Sequence, residues 1–261
     1  MASERINTGE PGDSMAGEWL PALDVAEPEQ QNRFSILLRA VLLIPHLVVL
    51  FFLSIAAFFC VVAGWLGALV LGRLPSGIAV FLSHFLGYRV RVTASLMLLN
   101  GRYPPFALKP PAGHPVRIGL RPGRLNRLAV FFRLILMIPA AIVQSLLSSG
   151  WWALGFIWWL IALILGRLPR PLFEATAATL RYVMRYEAYM MMLTSAYPKK
   201  VFGDRDVAAG EPVHSATRPL LVSGGGTALL VLFLLLGIVS GVTSSVSWSW
   251  SDSDSGTASM Y

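Results

Sequence analysis

Leu71-Gly72-Arg73-Leu74-Pro75 returns 94 residues later as Leu165-Gly166-Arg167-Leu168-Pro169. Outward from that pair the offset holds. Asn32-Arg33 recurs as Asn126-Arg127, Arg39 as Arg133 and Ile44-Pro45 as Ile138-Pro139. Tyr88 and Arg91 recur as Tyr182 and Arg185, and Tyr103-Pro104 as Tyr197-Pro198. Residues 32–104 and 126–198 superpose without a gap and agree at 26 of 73 positions. A match of this length marks a duplicated structural unit.

The unit is too apolar for a soluble domain. The chain is 55% hydrophobic and 13% charged, against roughly 25% charged in ordinary soluble domains. Apolar tracts at 36–71, 128–165 and 226–243 each reach the roughly 18 residues of a bilayer span. The expected fold is all-α and integral to a membrane: two tandem repeats, at 32–106 and 126–202, then a C-terminal transmembrane helix at 226–243. Residues 1–31 are acidic and carry no apolar core, which reads as a disordered cytosolic leader and not as a signal peptide. Residues 107–125 read as a basic linker, and 203–225 as a second linker. The tail at 244–261, rich in Ser, Trp and Asp, is expected to be disordered, with Trp248 and Trp250 at the outer interface.

Each apolar tract poses a length problem. As one helix the first would run about 54 Å, against a hydrocarbon core of about 30 Å. Each repeat is therefore either a transmembrane helical hairpin or one long kinked helix. Ser148-Ser149-Gly150 interrupts the second tract, Ser54 aligns with it in the first, and splitting there favours the hairpin. Arg33, Arg39 and Arg73 bracket the first tract, and Arg127, Arg133 and Arg167 the second. Positive charge at both ends places both ends in the cytoplasm. Two hairpins and a terminal helix make five crossings, with the N-terminus cytoplasmic and the C-terminus outside. The stretches 76–99 and 170–193 carry Arg91 and Arg185 on one face and read as amphipathic helices in the headgroup plane; packing against the hairpins is the alternative.

Catalysis needs an acid, a base, an activated nucleophile or a metal. The first repeat has no carboxylate, and the second has only Glu174 and Glu187, thirteen residues apart. His46, His84, His114 and His214 lack spaced partners, and Cys60 stands alone. No catalytic residue, metal or cofactor is assigned. Pro45 and Pro139 read as helix kinks; Gly72, Pro75, Gly166 and Pro169 read as helix ends. No Asp or Glu occurs between residues 32 and 173, where 14 Arg and Lys stand. Such a surface suits anionic headgroups, whereas no nucleic-acid recognition motif accompanies the charge. The functional alternative for Arg39, Arg73, Arg91, Arg133, Arg167 and Arg185 is one phosphate-binding cluster per repeat.

Taken together, Arg39…Ile44-Pro45-His46, Gly72-Arg73-Leu74-Pro75, the Tyr88/Arg91 helix and Asn100-Gly101-Arg102-Tyr103-Pro104-Pro105-Phe106 resemble the bacterial membrane domain of unknown function 4389. The second copy departs at Thr194-Ser195-Ala196 and replaces the histidine with Ala140. The resemblance implies a bacterial cytoplasmic-membrane protein in tandem duplicate and brings no activity. The expected function is a non-enzymatic scaffold or accessory subunit of a cell-envelope complex, touching anionic lipid and a membrane-protein partner. The rival is a component of a lipid or small-molecule transporter built on parallel repeats. A lipid-modifying enzyme using His46 or Glu174 comes third.

Overall fold

A computed structural model describes residues 20–109, 113–120, 125–204 and 215–255, with side chains given up to Gly241. The element order is β1 (Ala22–Val25), α1 (Arg33–Leu71), α2 (Ser76–Leu96), β2 (Val116–Gly119), α3 (Arg127–Phe131), α4 (Arg133–Ala153), α5 (Gly155–Leu165), α6 (Arg170–Met190) and α7 (Gly224–Ser255). The chain is mostly helical. Among the described residues, three helices are long and apolar enough to cross a membrane: α1, α4 and residues 224–241 of α7.

The duplication is also structural. Asn32 and Asn126 each cap a helix, accepting from Phe34 N and Leu128 N, which satisfies an otherwise orphaned first-turn donor. Gly72 and Gly166 end the tracts in the left-handed conformation, at φ 67° and 72°. Their amides return to Ala68 and Ala162. Pro75 and Pro169 then cap α2 and α6.

The hairpin is not what forms in the first repeat. α1 is one 39-residue helix, and Ser54 sits inside it with its hydroxyl donating to Leu50 O at 2.6 Å. Such back-bonding keeps a serine compatible with helix. In the second repeat the breaks fall at Phe132 and Leu154, one residue each, and not at Ser148-Ser149-Gly150. Gly150 is where α7 crosses: a Cβ there would run into the backbone of Phe233, and one at Gly237 into that of Leu146. Small residues of this kind let membrane helices approach closely. Pro45 and Pro139 lie within α1 and α4 without ending them.

The copies meet reciprocally. Gln31 N donates to Gly166 O at 2.8 Å, and Leu125 N to Gly72 O at 3.0 Å. The indole of Trp65 reaches Val130 O at 3.1 Å, and that of Trp159 reaches Ile36 O at 3.0 Å. Each bond maps onto its mate by the 94-residue offset, the signature of a two-fold isologous interface. The long segments α1 and α3–α5 therefore run antiparallel, start against end. α1 packs on α3 and α5 but not on α4, so the pair joins at both ends and parts in the middle.

The same symmetry reaches upstream of residue 32. β1 and β2 pair antiparallel, Ala22 with Gly119 and Val25 with Val116, and β1 shifted by the same 94-residue offset is β2. The pseudo-two-fold passes through the centre of this sheet. The fold is thus not wholly α, and the leader is ordered from residue 20. Leu23 and Val25 are buried while Ala22 and Asp24 are half-buried, a period-two pattern hidden within an acidic stretch. Residues 1–19 lie outside the described residues. β1 packs on α6 and β2 on α2, while neither strand touches α1, α4 or α5. Along the axis the order is sheet, then the α2–α6 layer, then the long helices.

α2 and α6 form the middle layer and pack on both sides, burying Leu82, Phe85 and Leu86, and Leu180 and Met184, together with their arginine faces. The expected tail also changes, because α7 continues as helix to Ser255; no Pro or Gly interrupts it after Gly241. The side chains of Trp248 and Trp250 and residues 256–261 lie outside what is described.

Candidate functional site

Of the six arginines expected to bind phosphate, four are buried and committed to backbone carbonyls. Arg39 donates to Ser95 O at 3.1 Å and to Asn100 O at 2.6 Å. Its mate Arg133 donates to Thr194 O at 2.7 Å and lies 4.0 Å over the Tyr189 ring. These carbonyls belong to the ends of α2 and α6, where Leu98 and Met192 take the left-handed conformation at φ 63° and 58°. An apolar residue there costs roughly 1–2 kcal/mol against the right-handed form. The guanidinium compensates by satisfying last-turn carbonyls and opposing the helix dipole. Arg91 holds the exit segment through Ala107 O at 2.6 Å. Arg185 holds its counterpart through Lys199 O at 3.0 Å, and Pro21 O at 2.9 Å. Burial lowers both of these guanidinium pKa values; Arg181 adds to the effect at Arg185.

Arg73 and Arg167 are exposed, and the reciprocal contacts give each a neighbour. The bond from Leu125 to Gly72 sets Arg73 beside Arg127, whose Nε lies near the Gly72 backbone. The bond from Gln31 to Gly166 sets Arg167 beside the start of α1 at Arg33. Arg33 and Arg127 are exposed too. The junctions differ in their surroundings. Neither Arg73 nor Arg127 has an ion-pair partner among the described residues. Arg167 lines a cavity of about 530 Å³ together with Glu27, Arg170 and Glu174, and Arg170 pairs with Glu174 at 3.2 Å.

Between the junctions the long helices present a continuous apolar face: Phe34, Val41, Phe51, Phe52, Phe58, Phe59 and Val70 of α1 are all more than 60% exposed. Where α1 and α4 part, a cleft of about 470 Å³ opens, lined by Ala57, Val61, Trp65, Phe85, Met137 and Met191 among others. Arg133 and Arg89 border it. Arg89 crosses the repeat interface to Glu187 at 3.0 Å. Burial raises the Glu187 carboxyl above its ordinary pKa, and Arg89 opposes this.

His46 is fully buried. Its Nδ1 meets Tyr88 Oη at 2.6 Å, and its ring stacks on Phe106 at 3.8 Å. These are packing partners. Among the described residues no group of three or more His, Cys, Asp and Glu could hold a metal ion. Glu174 accepts from Ser223 N at 2.8 Å and holds the start of α7.

Reasoning from sequence missed Arg33 and Arg127 as partners of Arg167 and Arg73, and missed Trp65 and Trp159 as the reciprocal clamps. The signal was present: both pairs are matched positions of the duplication. It also missed the buried ion pair between Arg181 and Asp204 at 2.7 Å, which has no mate because Gly87 stands at the position equivalent to Arg181.

No curated protein and no solved structure matches the chain. The family described as Domain of unknown function (DUF4389) matches twice, at residues 33–107 and 127–201. Those bounds coincide with the two structural copies that the reciprocal contacts join, and the chain belongs to this family as a tandem duplicate.

Proposed function

We propose that this is a non-enzymatic membrane protein that grips anionic phospholipid and serves as a scaffold or accessory subunit of a cell-envelope complex. The observation that carries the reading is the exposed Arg73–Arg127 junction at the edge of an apolar helical face. Guanidinium groups bind phosphate in planar, bidentate geometry, and each basic residue at an anionic surface contributes about 1 kcal/mol. The cleft between α1 and α4 has the size and lining of a site for acyl chain. Positive-inside placement puts the junctions at the cytoplasmic leaflet. The packing role of His46 against Tyr88 and Phe106 favours binding over chemistry.

The test is native mass spectrometry of detergent-solubilised protein after exposure to equal parts phosphatidylglycerol and phosphatidylcholine. The intact protein should retain phosphatidylglycerol selectively, and Arg73→Gln with Arg127→Gln should remove that selectivity. An unchanged lipid ratio in the double variant would overturn the reading.

A further inference from the structure

We infer that α1 and α3–α5 lie along the plane of one membrane leaflet instead of crossing the bilayer, so that both arginine junctions meet headgroups on the same face. The inference deepens the reading above, on which it rests for the identity of the lipid. Three observations carry it.

The first is length. The exposed apolar face of α1 begins at Phe34 and ends at Leu71, which at 1.5 Å per residue is about 56 Å. A hydrocarbon core is about 30 Å thick. Fitting one to the other would need a tilt near 60°, beyond the roughly 0–40° seen for spanning helices. A helix lying flat is about 10–12 Å thick with its side chains and fits within half of that core.

The second is the direction of the pseudo-two-fold. Two antiparallel helices joined at both ends are related by an axis perpendicular to them. If they crossed the bilayer, this axis would lie in the membrane plane at mid-depth. The β1–β2 sheet sits on that axis, on the far side of the α2–α6 layer. It would then be carried into the hydrocarbon together with Asp24, exposed Arg117 and Arg218, which pairs with Asp24 at 3.6 Å. Charged groups there cost roughly 2.5–3.5 kcal/mol each. With the axis along the membrane normal, the sheet stands in water.

The third is charge. Arg33 and Arg167 mark one end of the helix pair, Arg73 and Arg127 the other, and all four are exposed. An axis along the normal sets both pairs at one depth, at the rim of a single apolar face. An axis in the plane would send one pair to each leaflet.

The experiment is vectorial labelling of the full chain in a Cys60→Ala background, with single cysteines Gln30→Cys, Ser76→Cys and Arg117→Cys. All three positions are exposed, so the fold is not at stake. A membrane-impermeant maleimide is applied to inverted and to right-side-out vesicles. The expected result is labelling of all three from the same face. Labelling of positions 30 and 76 from opposite faces would overturn the inference. A second readout uses nitroxides at Leu37, Phe59 and Val70, whose immersion depths should agree within one leaflet; depths rising and falling through the bilayer centre would overturn it. The two readings separate cleanly. Same-face labelling without phosphatidylglycerol selectivity sinks the lipid identity alone, and opposite-face labelling with selectivity retained sinks this inference alone.

Discussion

Trp65 donates its indole N–H to the carbonyl of Val130 at 3.1 Å, tying the last turns of α1 to the opening helix of the second copy. Trp159 returns the same bond to Ile36 at the opposite end. Replacing either tryptophan with phenylalanine keeps an aromatic ring but removes the donor. Each change should cost about 1 kcal/mol, the net worth of an ordinary hydrogen bond. The two sites lie at opposite ends of the helix pair, so the costs should add. Thermal unfolding of both single variants and the double in one detergent checks this.

Buried and exposed arginines should separate by readout. Arg39→Met leaves the carbonyls of Ser95 and Asn100 without their donor, a loss of roughly 2–3 kcal/mol, while the choice of bound lipid stays as it was. Arg73→Gln removes no internal bond and should change stability by less than about 0.5 kcal/mol, yet weaken selection of phosphatidylglycerol. Paired melting and mass-spectrometric measurements on both variants decide it.

Asp204 makes stability depend on pH in one direction. Burial alone would raise its pKa, but the guanidinium of Arg181 and the amide of Leu220 bring it below the ordinary carboxylate value. A carboxyl depressed on folding stabilises above its unfolded pKa of about 3.9, and that contribution is lost as pH falls through the lower folded value. Asp204→Asn should flatten the acid limb of a stability–pH curve below about pH 4. At neutral pH it should cost about 3 kcal/mol, since Arg181, 2% exposed, keeps a buried charge without its partner.

Gly150→Ala tests the α4–α7 crossing. The added methyl would meet the Phe233 backbone, which cannot yield as a side-chain tip would. Overpacking of this kind costs about 1–3 kcal/mol, and Gly237→Ala should behave alike. Gly77→Ala, where a Cβ meets nothing within 4 Å, is the control and should be neutral or mildly stabilising. Melting temperatures of the three variants rank them.

The duplication, the helical character and the membrane-length tracts were legible because repetition and apolar run length are properties of the string itself. The hairpin was misread at Ser148-Ser149-Gly150 because a small polar triplet signals a turn in water and a helix crossing in lipid. Only the distant Gly237 distinguishes the two. The ends of α2 and α6 gave no local warning, since Leu98 and Met192 stand where glycine usually does. The strands escaped because four residues carry little periodicity and share only the offset, not the sequence: Ala22-Leu23-Asp24-Val25 against Val116-Arg117-Ile118-Gly119. The arginine site was half legible. A cation's repetition shows that both copies need it, but an internal carbonyl and an external phosphate ask for the same guanidinium.

Each strand of the small sheet packs on the other copy's helix, β1 on α6 and β2 on α2. One copy by itself would hold out an arm with nowhere to lay it, and its complement would be a second molecule of the same kind. The duplicated chain thus exchanges its two strands between its own halves. Joining the halves released them from identity, which is how His46 can face Tyr88 in one copy while Ala140 occupies the same place in the other.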